Sequence, residues 1–206
     1  SPYSAPHAPY QPPGEPLNRK RIPYDRGPKF SREIFVQMVE CMDRGVGKII
    51  GRIKKYGLEK NTLIIFLSDN GAVRSGRNAP LHDGKGTLFE GGIRVPCIIK
   101  WKNHLPEEKV IDIPTINMDI FTTILYSAGI SEPEDIVIDG NNLFPVIKGR
   151  KKENHKYLCW LYLNTEAIRK DNWKYHKTRN GKEFLIYLEK DIGEKNNLIN
   201  SNFKFA

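Results

Sequence analysis

The spacing of apolar residues along this chain changes several times, and each change marks a different element. Between Arg32 and Tyr56 they recur at helical intervals: Ile34, Phe35, Met38, Val39, Met42, Val46, Ile49, Ile50 and Ile53 make one stripe. The stripe predicts a helix over 32–56 packed on a core, opened by Ser31 as N-cap and stopped by Gly57. Leu63-Ile64-Ile65-Phe66-Leu67 then runs without a polar break. Such a run is too short for a separate helix and is rich in β-branched and aromatic residues. It predicts a strand over Thr62–Leu67, buried on both faces as in a parallel sheet. Arg94 to Trp101 reads as a second buried strand. Met118 to Ala128 reads as a short amphipathic helix with Ile120, Phe121, Ile124, Leu125 and Ala128 inward, closed by Gly129.

After Gly149-Arg150-Lys151-Lys152 the pattern shortens to strand-like runs at 157–163, 166–176 and 183–188, with a hairpin turn at Asn180-Gly181. The expected organisation is an α/β domain over 1–149 and a small antiparallel subdomain over 150–206. Residues 1–29 are rich in proline and predict an extended, irregular segment.

Composition narrows the class. The chain has 206 residues, 39% hydrophobic and 28% charged, which describes a globular protein and not a disordered one. No apolar run approaches the ~20 residues of a membrane span. The net charge of +9 would suit anionic partners, but the basic residues are dispersed and no nucleic-acid motif accompanies them, so a nucleic-acid partner is not expected. The three cysteines are neither a disulfide framework nor a zinc site. Cys97 and Cys159, in apolar runs, are expected as small core residues.

Candidate chemistry begins where the Leu63–Leu67 run ends, at Ser68-Asp69-Asn70-Gly71. In open α/β sheets ligands sit beyond the carboxyl ends of strands. A carboxylate beside a carboxamide suits a hard cation, although Asp-Asn-Gly is equally good turn chemistry. Downstream, Gly84-Lys85-Gly86-Thr87 sets a point positive charge between glycines, an arrangement that suits an oxyanion. It is not a Walker loop, because the first glycine of that spacing is missing. The alternative is a surface loop with a solvated lysine.

Taken together, Ser68-Asp69-Asn70-Gly71, Gly84-Lys85-Gly86-Thr87 and Glu90-Gly91-Gly92-Ile93-Arg94-Val95-Pro96 closely resemble the type I sulfatases. The opening Pro6-His7-Ala8-Pro9 is similar to that family's Pro-His-x-Pro segment, and Cys41-Met42-Asp43-Arg44-Gly45 to its helix motif. Asp139-Gly140-Asn141 and the closing Leu185-Ile186-Tyr187 through Asn197-Leu198 also match, in the same order. The resemblance covers nearly the whole chain. The family's paired aspartates, its Cys- or Ser-x-Pro-x-Arg motif and its Lys-x-His pair are not found in this sequence. The chain therefore looks like the carboxyl-terminal half of a sulfatase, with the formylglycine nucleophile expected in an amino-terminal half.

The resemblance implies an alkaline-phosphatase-like α/β sandwich, here partial, with a parallel-rich central sheet flanked by helices and a small antiparallel α+β subdomain. It implies a divalent cation, usually Ca2+, with Asp69 and Asn70 among its ligands. Lys85 and His7 become the catalytic residues and contact the sulfate ester, while His82 stands either near substrate or idle on its loop. The substrate would be a sulfate ester, possibly of a glycan, and the protein would be exported. A phosphodiesterase or phosphonate hydrolase of the same superfamily, or a non-catalytic sulfatase-like binding protein, are the alternatives. On the sulfatase reading this chain alone is inactive.

Overall fold

The computed structural model describes residues 3, 5–8, 10–14, 31–73 and 76–201. The extended course expected for 1–29 therefore falls, over 15–29, outside the described residues. The chain forms two compact units, Ser1–Thr62 with Ala72–Arg77, and Leu63–Gly71 with Asn78–Ala206. The expected boundary at 149/150 lies inside the second unit, a few residues before its larger sheet begins.

In the first unit, helix α1 spans Arg32–Lys55. Ser31 is extended at its start but makes no side-chain cap, and Gly57 leaves the helix at φ +67. A left-handed residue just past the last turn is the usual way to end a helix. The expected stripe is buried at Met38 and half-buried along most of its length, but Ile49 and Ile50 are exposed. Periodicity decides which face of a helix is apolar; it does not supply what covers it.

The second unit begins with β1 (Ile64–Leu67), continues through the one-turn α2 (Glu90–Ile93), and returns as β2 (Cys97–Lys100). β1 and β2 pair antiparallel, Ile64 opposite Lys100 and Leu67 opposite Cys97. Among the described residues no parallel pair forms, so the expected parallel-rich sheet is corrected here. A parallel pair needs a crossover lying along the sheet, whereas the chain re-enters β2 from α2 in the opposite sense. In a two-stranded sheet both strands are edges. β1 is accordingly half-buried, not buried on both faces, and β2 is mostly exposed.

Helix α3 (Asp119–Ser127) forms where expected but faces the other way. Asp119, Thr122 and Thr123 are buried, Ile120 and Leu125 are half-buried, and Phe121, Ile124 and Ala128 are exposed. The cause is the hydrogen bonding of its polar face. The Asp119 carboxylate accepts from the Ile116 and Asn141 N–H groups, from Asn154 Nδ2 and from His155 Nε2, at 2.6–2.9 Å. The Thr123 hydroxyl donates to the Asp119 carbonyl and accepts from the Leu143 N–H, while Thr122 donates to the Gly140 carbonyl. These contacts dock α3 onto residues 140–143 and lead into α4 (Phe144–Ile147).

The remainder is a four-stranded antiparallel sheet in the order β3 (Leu158–Tyr162), β4 (Thr165–Lys170), β5 (Trp173–Lys177), β6 (Glu183–Tyr187). The single run expected over 166–176 is divided by a turn at Asp171, which sits at φ 52. The hairpin expected at Asn180-Gly181 is present, with Gly181 at φ +80. Cys159 lies on the edge strand β3 and Cys97 on the edge strand β2; both are exposed and not core residues. Their apolar neighbours alternate across strands that lack a partner on one side. Among the described residues no helix is long and apolar enough to cross a membrane.

Pairing puts two rows on the buried face of this sheet. Leu158, Arg169, Lys174 and Ile186 form one, and Trp160, Ala167, His176 and Phe184 the other. Arg169 and Lys174 are like charges directly opposite, a destabilising pair by itself. Two carboxylates offset it. Lys174 Nζ lies 3.0 Å from Glu90 Oε1 and 2.9 Å from Glu194 Oε1, and Arg169 Nη1 lies 3.5 Å from Glu90 Oε2. Glu194 in turn accepts the Glu90 backbone N–H at 2.6 Å. Burial pushes the Glu194 carboxyl up, and Lys174 and that N–H pull it back down. This buried network ties α2 to the sheet.

Candidate functional site

Three glycines bring the two candidate loops together. A Cβ on Gly71 would lie 1.7 Å from the Gly91 carbonyl oxygen, one on Gly91 2.3 Å from the carbonyls of His82 and Asp83, and one on Gly92 2.1 Å from that of Thr87. No side chain can occupy these positions without moving backbone. Their absence lets Gly71 N–H donate to the Gly92 carbonyl at 2.9 Å and Gly91 N–H to the His82 carbonyl at 2.8 Å. The Asp69-Asn70-Gly71 turn is thereby laced to the 82–92 loop that carries Lys85.

The result is one cavity of about 800 Å³ with Asp69, Asn70 and Lys85 in its lining. Arg94, Trp160 and Arg169 line it as well. The Asp69 carboxylate accepts the Asn70 N–H at 3.0 Å through Oδ1, and Asn117 Nδ2 lies 3.5 Å from the Asp69 carbonyl. Thr87 Oγ1 donates to the Gly84 carbonyl at 2.9 Å and tightens the glycine loop around Lys85. Lys85 itself is exposed and free to meet an anion from solvent.

The donors suit an oxygen-seeking cation in kind but not in number. Asp69 and Asn70 offer a carboxylate and a carboxamide, whereas calcium takes six to eight oxygens. Among the described residues no group of three His, Cys, Asp or Glu converges on a metal position. The pair fits part of a calcium site.

The other expected site residues are not among those that line this cavity. His7 belongs to the first unit, is exposed, and has Nδ1 2.7 Å from the Ala8 carbonyl oxygen. The His82 ring stacks on Phe89 with centroids 4.2 Å apart and does not line the cavity. Arg94 and Arg169 were not singled out from the sequence. Arg94 lies inside the quoted Glu-Gly-Gly-Ile-Arg segment, so it could have been found. Arg169 has no local signal, since it reaches the cavity only through strand register.

A family model described as Sulfatase matches residues 2–130, more than half of the chain, and one described as N-sulphoglucosamine sulphohydrolase, C-terminal, matches residues 81–204. The steryl-sulfatase of Mus musculus is 38% identical over 154 residues, covering 66% of this chain and 24% of its own. The N-acetylgalactosamine-6-sulfatase of Mus musculus is 42% identical over 119 residues, covering 54% of this chain and 23% of its own. The crystal structure of Ps i-CgsB superposes with a TM-score of 0.80 at 33% identity, over 95% of this chain and 44% of that one. Its complex with k-i-k-neocarrahexaose gives 0.79 at the same identity, over 94% and 44%. The chain thus spans about a quarter of the length of these curated relatives and under half of the crystallised one. Its fold is the alkaline-phosphatase-like α/β class that these structures share. With the matched segments covering the two loops and the three glycines that build the cavity, this chain belongs to the sulfatase family.

Proposed function

We propose that this chain supplies the sulfate-holding wall of a sulfuric ester hydrolase. One observation carries the reading: Asp69 and Asn70, at the carboxyl end of β1, line the same cavity as Lys85, held there by backbone bonds across glycines. Asp69 and Asn70 would be ligands of a divalent cation, with calcium the expected ion. Such a cation neutralises sulfate oxygens and so makes the ester sulfur easier to attack. Lys85 holds the sulfate by its charge and stabilises the negative charge that grows on the bridging oxygen as the S–O bond breaks. His7 is proposed as a second contact of that leaving oxygen, able to donate a hydrogen bond or proton. His82 is proposed as a more distant substrate contact. The formylglycine nucleophile of the family has no motif among these residues, and catalysis requires it from elsewhere.

The substrate class is a sulfate ester, and a sulfated glycan is proposed within it. Export along the secretory route is proposed with the sulfatase reading.

In an enzyme complete with its nucleophile, Lys85→Ala should lower turnover of an aryl sulfate by ~10²–10³-fold with little change in melting temperature. Asp69→Ala should weaken calcium binding, with activity partly recovered in excess calcium. Undiminished turnover by the Lys85 variant removes that residue from the mechanism. The 206-residue chain assayed alone with a chromogenic aryl sulfate should release no sulfate, with or without calcium.

A further inference from the structure

One buried carboxylate is tied to two walls of the Lys85 cavity. Residues 111–118 line one wall, and residues 158–162, which are β3, line another. Among the described residues, 110–115 make no backbone-to-backbone hydrogen bond, so that stretch is held at its ends. At one end Lys109 Nζ donates to the Ile147 carbonyl at 2.8 Å, and at the other the Ile116 N–H donates to Asp119 Oδ2 at 2.9 Å. Asp119 is 0% exposed, and its carboxylate accepts three further bonds: from the Asn141 N–H at 2.7 Å, Asn154 Nδ2 at 2.9 Å and His155 Nε2 at 2.6 Å. Asn154 and His155 stand just before β3 begins. A carboxylate in the first turn of a helix is favoured by the helix dipole alone. That reason needs no outside partner, yet all four donors lie outside α3.

The proton positions follow from the same cluster. Asn141 Nδ2 donates to the Asn154 carbonyl at 2.8 Å and lies 3.0 Å from His155 Nδ1. Nδ1 therefore accepts, and Nε2 carries the hydrogen given to Asp119. From this clasp Asn117 reaches the Asp69 turn. Its Nδ2 lies 3.5 Å from the Asp69 carbonyl, at the outer edge of hydrogen-bond range. Asn117 follows Ile116 directly, so the bond from Ile116 to Asp119 sets where its amide stands. Whatever fixes the Asp69 carbonyl also fixes the turn that presents the Asp69 carboxylate and the Asn70 carboxamide.

We propose that Asp119 and Asn117 are positioning residues of the cation site: Asp119, clasped by His155, holds the 111–118 wall at a set distance from β3, and Asn117 passes that placement on to the Asp69 turn. The proposal rests on the reading of Asp69 and Asn70 as ligands of a divalent cation. It adds the means by which a turn of two ligands, with few bonds of its own, keeps one geometry.

The test is titration of the full chain with terbium(III), a luminescent stand-in for calcium, followed by calcium as competitor. Asn117→Ala should weaken terbium binding about 10-fold, the lower end for a group that orients a metal ligand. Its urea midpoint should stay at the wild-type value, because the side chain is exposed. His155→Ala should weaken binding too, and His155→Gln, which keeps an N–H donor for Asp119, should recover most of it. A clasp that served stability alone would lower the midpoint of His155→Ala and leave Asn117→Ala at full affinity. Should His155→Ala fail to fold by circular dichroism, Asn117→Ala carries the test. Wild-type affinity in Asn117→Ala, with binding lost in Asp69→Ala, removes the proposal and leaves the cation reading standing. Terbium binding that is undiminished in Asp69→Ala, or absent from the wild-type chain, removes the cation reading and the proposal with it.

Discussion

At the scale of single residues, the buried face of the β-sheet shows that charge in this protein serves structure as well as chemistry. Lys174 is fully buried between Glu90 and Glu194. Removing one partner of such a network leaves uncompensated charge in a poorly solvated place. Lys174→Met should therefore destabilise the second unit by roughly 3–5 kcal/mol, read as a fall in the urea midpoint. Lys170→Met, on the exposed end of β4, should stay within about 0.5 kcal/mol of wild type. Equal midpoints for the two variants would show that the buried network contributes nothing. His176 adds a pH dependence of definite sign. Its folded pKa of about 4 lies below its ordinary 6.5. Between those values the unfolded imidazole binds a proton that the folded one refuses, so acidification across that window favours unfolding. The loss approaches roughly 3 kcal/mol at most, and no slope from this group remains above pH 6.5. His176→Phe should flatten the midpoint-against-pH curve between about pH 6.5 and about pH 4; a curve as steep as wild type means that other groups supply the slope.

At the scale of elements, the site is a product of turns and not of strands. Asp69 and Asn70 could be recognised because an apolar run stops abruptly in oxygen-bearing side chains, and Lys85 because glycines flank it. What joins them could not be read locally. The Gly71–Gly91 approach links positions twenty residues apart, and the only trace of it in the sequence is that both are glycine. Gly71→Ala makes the dependence measurable. The new methyl would meet backbone, which has no rotamer to change, so a cost of about 1–3 kcal/mol is expected. On the function proposed above, sulfate and calcium binding at the cavity should fall further than stability does, because the two loops part there first. Binding that survives with full affinity would show that the loops are held by other means. Helix α3 fails to match its sequence pattern for a related reason. Its apolar positions gave the right element and the wrong face, because Asp119, Thr122 and Thr123 carry a hydrogen-bond set that outweighs the apolar stripe. The hairpins at 157–187 were legible since alternation and Asn180-Gly181 are local signals. The antiparallel sense of β1 and β2 was not, since strand direction depends on how the chain between them returns.

At the scale of the whole molecule, the inverted helix has a consequence for behaviour in solution. Met118, Phe121, Ile124, Tyr126 and Ile130 are each 46–60% exposed on or beside α3. Exposed apolar side chains such as Met118, Phe121 and Ile124, spaced three apart along one helical face, mark a surface that associates. The net charge of +9 opposes association at low salt, where like-charged copies repel, and this protection fades as salt shortens the screening length. The chain should therefore be monodisperse in dilute buffer and form larger species as salt rises toward about 0.5 M, where the screening length is only a few ångströms. Light scattering measures this directly. Replacing Phe121 and Ile124 together by Lys should keep the chain monomeric across the whole salt range, because both side chains already face solvent and make none of the bonds that dock α3. Salt-induced association undiminished in that double variant would place the sticky surface elsewhere, with the exposed half of α1 at Ile49 and Ile50 as the next face to substitute.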